Sequence, residues 1–311
     1  MTDIQETGMA GGRSGAMAMV LSAFMFSVMS LLVKEVGTRI PSQQVVLARA
    51  LVSMVVAYVL LRRAAPGNWG HRKGLLVVRG LAGFAALSCF FYALVHLPLA
   101  DATVIQYTNP VWTAWLGWIV LAEALTLAEV LLSGFGLLGV LLIARPTFLF
   151  GGDMRLDAFA TAVGLTGALL SAVAYISVRK LSRTEHPMII VFYFTVVTVP
   201  ASLPGALVSG VVMPTGTEFL LLAGVGISAV MGQLYLTRGL QMETAGRATA
   251  IGYVQIVFAA TWGMLFFGEY PDALSLAGAA LVLVSVATLA RRRRLPAVRT
   301  ALGDEGTAEA G

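Results

Sequence analysis

Residues 102–123 read ATVIQYTNPVWTAWLGWIVLAE, and residues 248–269 read ATAIGYVQIVFAATWGMLFFGE. A shift of 146 lays one on the other, carrying Ala102 to Ala248, Thr103 to Thr249, Tyr107 to Tyr253, Gly117 to Gly263 and Glu123 to Glu269. The same shift takes Lys34 to Lys180, Pro41 to Pro187, Gly80 to Gly226, Leu94 to Leu240 and Arg145 to Arg291. Apolar coincidences come easily in so apolar a chain, but Lys, Tyr and Glu are scarce in it. The chain is therefore two copies of one unit.

Each quoted stretch is also about 20 mostly apolar residues, the length that crosses the hydrocarbon core of a bilayer. Working outward, ten such segments follow: Ser14–Val33, Gln44–Leu61, Leu75–Val95, Ala102–Leu121, Ala128–Ile143, Ala158–Val178, Ile189–Ser209, Glu218–Thr237, Gly246–Phe267 and Leu274–Ala290. They are too long and too poor in charge for the alternating strands of a membrane barrel. The expected fold is an all-α integral membrane protein of ten transmembrane helices in two five-helix repeats. Five is odd, so the repeats enter the membrane in opposite directions, the inverted topology of many secondary transporters. The expected units are residues 1–13 as a tail, 14–145 and 158–291 as the repeats, and 292–311 as a basic, then disordered, tail.

Composition agrees: the 311 residues are 58% hydrophobic and 12% charged, where a soluble domain carries about a quarter charged. No soluble domain is left over. The net charge of +5 does not read as a nucleic-acid surface, because the cations lie between apolar runs and Arg291, Arg292, Arg293 and Arg294 directly follow the last one. That placement suits anionic headgroups. The lone Cys89 excludes an internal disulfide and a cysteine-rich metal site. Residues 14–33 are too long for a signal peptide and lack its cleavage site, so they read as the first permanent helix. Sixteen Lys and Arg residues fall on the side of the termini, Arg79 and Arg247 among them, and four on the other. This bias places both termini in the cytoplasm, with the bilayer taken as a cytoplasmic (inner) membrane. Met1–Gly12 and Pro296–Gly311 read as disordered tails.

Leu97-Pro98-Leu99-Ala100-Asp101-Ala102-Thr103, then Asn109-Pro110, then Leu121-Ala122-Glu123 resemble the drug/metabolite transporter superfamily in its EamA-domain branch. Phe267-Gly268-Glu269 repeats the last element in the second half. The resemblance covers nearly the whole chain and implies ten helices, a central cavity and exchange of small metabolites. The second copy departs from it with Ile256 in place of Pro110, so a kink is expected in helix four and nothing calls for its match in helix nine.

A polar side chain inside the hydrocarbon core needs a partner or a purpose. Helix four is densest, with Tyr107, Asn109, Pro110, Trp112, Trp115 and Trp118. Pro110 is expected to free a carbonyl and kink the helix at mid-membrane. Asn109 and that carbonyl suit a polar substrate group, and Tyr107 and Trp112 an apolar or cationic portion. Spacing also sets Tyr107, Trp115 and Trp118 near one helix face. Helix nine offers Tyr253 and Gln255, the repeat counterparts of Tyr107 and Asn109. Arg49 either snorkels to the interface or lines the cavity and draws a carboxylate. Tyr92 and Trp262 are further substrate-binding candidates, with Gln233 and Tyr235 beside them, whereas His96, at a helix end beside Pro98, reads as a loop residue rather than a proton relay. Glu123 and Glu269 sit at helix ends, where capping or pairing is their expected work. Gly134, Gly136 and Gly139 read as helix packing, with helix five as an alternative homodimer surface.

No nucleotide loop, metalloprotease helix, serine elbow or catalytic carboxylate pair occurs, so neither an enzyme nor a cofactor is expected. The expected partners are a small-molecule substrate and the lipid bilayer. The sequence thus points to a secondary transporter of amino-acid-like or amphiphilic metabolites. A multidrug or cationic-compound exporter and a non-transporting structural bundle remain the alternatives.

Overall fold

A computed structural model describes residues 3–64, 69–97, 99–124, 126–150, 157–208, 210–268 and 270–291. In chain order the helices are α1 (Asp3–Val36), α2 (Ser42–Ala64), α3 (Lys73–His96), α4 (Leu99–Gln106), α5 (Asn109–Leu121), α6 (Leu127–Ala144) and the single turn α7 (Thr147–Phe150). The second half holds α8 (Ala158–Leu181), α9 (Pro187–Val208), α10 (Gly216–Met242), α11 (Ala245–Ile251), α12 (Val254–Phe267) and α13 (Ala273–Arg291). Nine stretches among the described residues are long and apolar enough to cross a membrane. The tenth expected span is α4 with α5, whose 8 and 13 residues fall short singly because the helix breaks at Tyr107 and Thr108.

Termini are set by ordinary caps. Thr126 with Glu129 and Thr215 with Glu218 form capping boxes at α6 and α10, and Asp157 caps α8. Ala122 and Gly268, repeat counterparts, both end their helices in the left-handed conformation, with φ of 52° and 67°. Their amides bond back to Gly117 and Gly263, which are counterparts too.

Packing obeys the same two-fold rule. α1 lies against α10 as its counterpart α8 lies against α3, and α5 against α8 as α12 against α1. α2 meets its own counterpart α9, and α6 meets α13. Gly80 and Gly226 show why both repeats keep glycine there: a Cβ would meet Val197 at 2.8 Å in one case and Val52 at 2.4 Å in the other. Without hydrophobic drive between helices in lipid, such close backbone approach supplies much of the attraction.

Two expectations are corrected. The first helix begins at Asp3 rather than after residue 12, since each residue added to a formed helix gains a hydrogen bond that offsets the entropy of ordering it. Arg79 and Arg247, counted with the basic loops, are buried at 2% and 4% exposure inside the bundle. The tail at Pro296–Gly311 and the side chain of Glu269 lie outside the described residues. Below, the basic face is the end of the bundle where α3 begins and α8 and α13 finish, with Lys73, Lys180 and Arg291. On the opposite face, Asp272 precedes α13, and its hydrogen bond from Arg145 holds its carboxyl well below the usual carboxylate range.

Candidate functional site

Helix four does not kink at Pro110; it stops and restarts. α4 ends at Gln106, Tyr107 and Thr108 form a turn, and Pro110 sits in the first turn of α5, where its missing N–H costs nothing. The Asn109 side-chain amide donates to the Gln106 carbonyl at 2.9 Å, and the Thr108 hydroxyl to that of Ile105 at 2.6 Å. Carbonyls freed at the break are thus answered locally.

The second repeat breaks at the equivalent place with no proline at all. α11 ends at Ile251, Gly252 and Tyr253 turn, and α12 starts at Val254. Ile256 therefore does not remove the symmetric feature; Gly252 turns in an ordinary right-handed conformation, where a Cβ would meet the Thr249 carbonyl oxygen at 2.9 Å.

The two breaks face each other. Tyr107 and Tyr253 pack with ring centroids 5.9 Å apart and planes 51° apart. Beside them lies a cavity of about 70 Å³, lined by Tyr107, Asn109, Pro110, Tyr175, Thr249 and Gln255 with Ser22 and Phe26 of α1. Waters need about 10–15 Å³ each on this measure, so several fit but a metabolite does not, and the halves must part to admit one. Tyr253 is 1% exposed, and its hydroxyl has no hydrogen-bond partner among the described residues. Trp112 Nε1 is likewise buried and unpartnered.

The remaining candidates scatter. Trp115 and Trp118 are about half exposed on the outside of the bundle, away from Tyr107, because the break between them ends the common helical register. Trp262 donates from Nε1 to the Ser27 hydroxyl at 3.0 Å and ties α12 to α1. Tyr92 stacks on His96 at 4.0 Å and lines neither cavity. Arg49 lines a second, smaller cavity with Ser53, Phe194, Thr195, Thr198 and Gln233.

Glu123 does pair. Its Oε1 accepts from Arg179 Nε at 2.8 Å and its Oε2 from the Ala245 amide at 2.7 Å. Arg179 Nη1 also donates to the carbonyls of Leu240 and Gln241. This knot joins the ends of α5, α8 and α10 to the start of α11 and closes the basic face below the cavity. Arg179, Tyr175 and Arg79 were missed by sequence reasoning. The signal for Arg79 was its place inside the apolar run Leu75–Val95; Arg179 and Tyr175 carried none, because their partners are distant in the chain.

Two inverted repeats whose broken helices meet at a polar, aromatic cavity make up the architecture of a secondary transporter. The EamA-like transporter family model matches residues 13–145 and 158–291, and the chain belongs to that family, within the drug/metabolite transporter superfamily. It is 35% identical over 282 residues to the pseudopaline exporter CntI of Pseudomonas aeruginosa, covering 91% of this chain and 98% of that one. It is 32% identical to solute carrier family 35 member G1 of Mus musculus, over 89% of this chain and 78% of that one. A solved crystal structure matches at a TM-score of 0.80 with 17% identity, covering 89% of this chain and 96% of its own, which bears on the fold alone.

Proposed function

We propose that this membrane transporter carries small amino-acid-like or amphiphilic metabolites across the cytoplasmic membrane by alternating access, with both termini in the cytoplasm. The observation that carries this reading is the meeting of two repeat-equivalent helix breaks, at Tyr107 and Tyr253, beside a cavity too small for substrate as it stands. Each half can adopt the conformation of the other, so one sequence supplies both an outward-open and an inward-open state. Tyr107, Asn109, Tyr253 and Gln255 then hold the substrate, and the aromatic faces accept its apolar part. The similarity to a protein named an exporter favours outward movement.

The test is uptake by sealed proteoliposomes of labelled amino acids, purine derivatives and cationic amphiphiles, with and without a pH gradient. Saturable entry of one class is expected, reduced at least tenfold in Asn109→Ala. Passive leakage alone for every class, with folded protein in the bilayer, would overturn the proposal.

A further inference from the structure

Arg79 lies six residues into α3, and Arg49 seven residues into α2 from the other face, each about 10 Å along the helix from its start. A helical side chain leans toward the helix N-terminus, and an arginine near a membrane surface snorkels toward water. For Arg79 both tendencies point back to the basic face. Its guanidinium goes the other way. A Cβ at Gly83, one turn deeper along α3, would come within 3.1 Å of Arg79 Nη1, so the guanidinium occupies the space that glycine leaves. There it lies 4.0 Å above the Phe194 ring and donates from Nη2 to Gln233 Oε1 at 2.8 Å. Phe194 and Gln233 both line the small cavity that also holds Arg49. The two cations lie within electrostatic reach of each other.

No carboxylate among the described residues answers them. α2, α3, α8 and α9 contain no Asp or Glu, and Glu218, the one acid in α10, is bound to Arg39 at the first turn. Arg79 is 2% exposed, with Nε and Nη1 unpartnered among the described residues. The Arg49 guanidinium makes no hydrogen bond or ion pair there either. A buried and a half-buried like charge without a counter-charge are costly in a membrane protein and call for a ligand that supplies one. The hydroxyls of Ser53, Thr195 and Thr198 already donate to the carbonyls of Gly226, Phe192 and Phe194, and beyond Gln233 the rest of the lining is apolar, so the guanidinium groups are the charged donors left for an oxyanion.

We propose that Arg49 and Arg79 form an anion-binding site for a compact oxyanion group, and that the transported molecule presents such a group, a carboxylate or a phosphate, to it. The transport role rests on the function proposed above; the binding site does not. Thr195 is the repeat counterpart of Arg49 and faces the same cavity, so the symmetric framework is kept while the charge is placed on one repeat. The cavity holds only about 10 Å³ in this conformation, so the anion enters as the helices around it part.

The test uses full-length protein in detergent, where no sealed compartment is needed. Its thermal unfolding is followed against acetate, succinate, inorganic phosphate and chloride at constant ionic strength, balanced with the bulky anion 2-(N-morpholino)ethanesulfonate. A saturable rise in midpoint with at least one oxyanion is expected, and its absence from the Arg49→Gln/Arg79→Gln double variant. Preference for acetate and succinate identifies a carboxylate; preference for phosphate identifies a phosphoryl group. If the double variant does not fold, Arg79→Lys keeps the charge but loses the planar fork and is expected to weaken apparent affinity about tenfold. No saturable response in the wild type, or the same affinity in wild type and variants, overturns the site. Binding without proteoliposome flux leaves the site and removes the transport reading. Flux with no anion response does the reverse.

Discussion

Tyr107 and Tyr253 stand 146 residues apart in the chain and 5.9 Å apart between ring centroids, each in the turn that interrupts its helix. The Tyr253 ring also packs on Gly136 of α6, where a Cβ would approach to 2.7 Å, so the ring has structural work as well. Its hydroxyl does not, being buried and unpartnered among the described residues. Leaving a hydroxyl unsatisfied costs about 1–3 kcal/mol. Tyr253→Phe should therefore keep or raise the unfolding midpoint while lowering substrate flux, because the hydroxyl is held for a ligand. Tyr253→Ala removes the ring and should cost about 3–5 kcal/mol of stability. Unchanged flux in the Phe variant would return Tyr253 to packing alone.

The pairing of these tyrosines was legible because Tyr is rare in this chain and the offset was constant. The helix breaks were not. A proline is a visible signal, but Pro110 marks the restart of a helix rather than a kink, and the second repeat breaks at Gly252 and Tyr253 without one. Charge at a distance was least legible: Arg79 read as a loop cation because its burial depends on Gly83, Phe194 and Gln233, the last two of which come from the other half of the chain.

The Glu123–Arg179 pair closes the basic face with side chains only 9% and 14% exposed. Removing one partner of such a pair leaves the other desolvated and costs more than removing one from a surface ion pair. Arg179→Gln should release the carbonyls of Leu240 and Gln241 as well. The cavity should then open toward the basic face. A cysteine at Ser22 in a Cys89→Ser background reports this by labelling with an impermeant thiol reagent. Unaltered labelling from that side would mean that the knot is structural and not a gate.

Gly139 and Gly278 set the closest approach of α6 to α13, each meeting the other's carbonyl oxygen at 2.6–2.7 Å from an added Cβ. The face expected as packing is therefore used inside the chain, whereas Gly134 has open space around it. Gly139→Val should force the helices apart and destabilise the protein by about 1–3 kcal/mol or more, while Gly134→Val should be tolerated. Equal unfolding midpoints for the two variants would contradict this contact.

Arg39 and Glu185 are repeat counterparts that clasp opposite faces of the bundle. Arg39 Nε donates to Glu218 Oε1 at 2.6 Å, tying the α1–α2 loop to the start of α10. Glu185 Oε1 accepts from the amides of His71 and Arg72 at 2.8 and 2.6 Å, tying the α8–α9 loop to the start of α3. Glu218 and Arg72 are counterparts as well, but the second clasp is made by backbone amides where the first is an ion pair. The Arg39 side chain is about half exposed and its ion pair is worth little on its own. Glu185 is 5% exposed, so Glu185→Gln should weaken its clasp by more, because the buried carboxylate binds amide hydrogens more strongly than a neutral amide does. The two clasps lie on faces that must open in turn during alternating access. Glu185→Gln is expected to raise labelling of a cavity cysteine at Ser22 from the basic face, and Arg39→Gln to raise it from the opposite face. Measured from both sides of reconstituted vesicles, shifts of the same sign in the two variants would show that the clasps hold the fold rather than bias its two states.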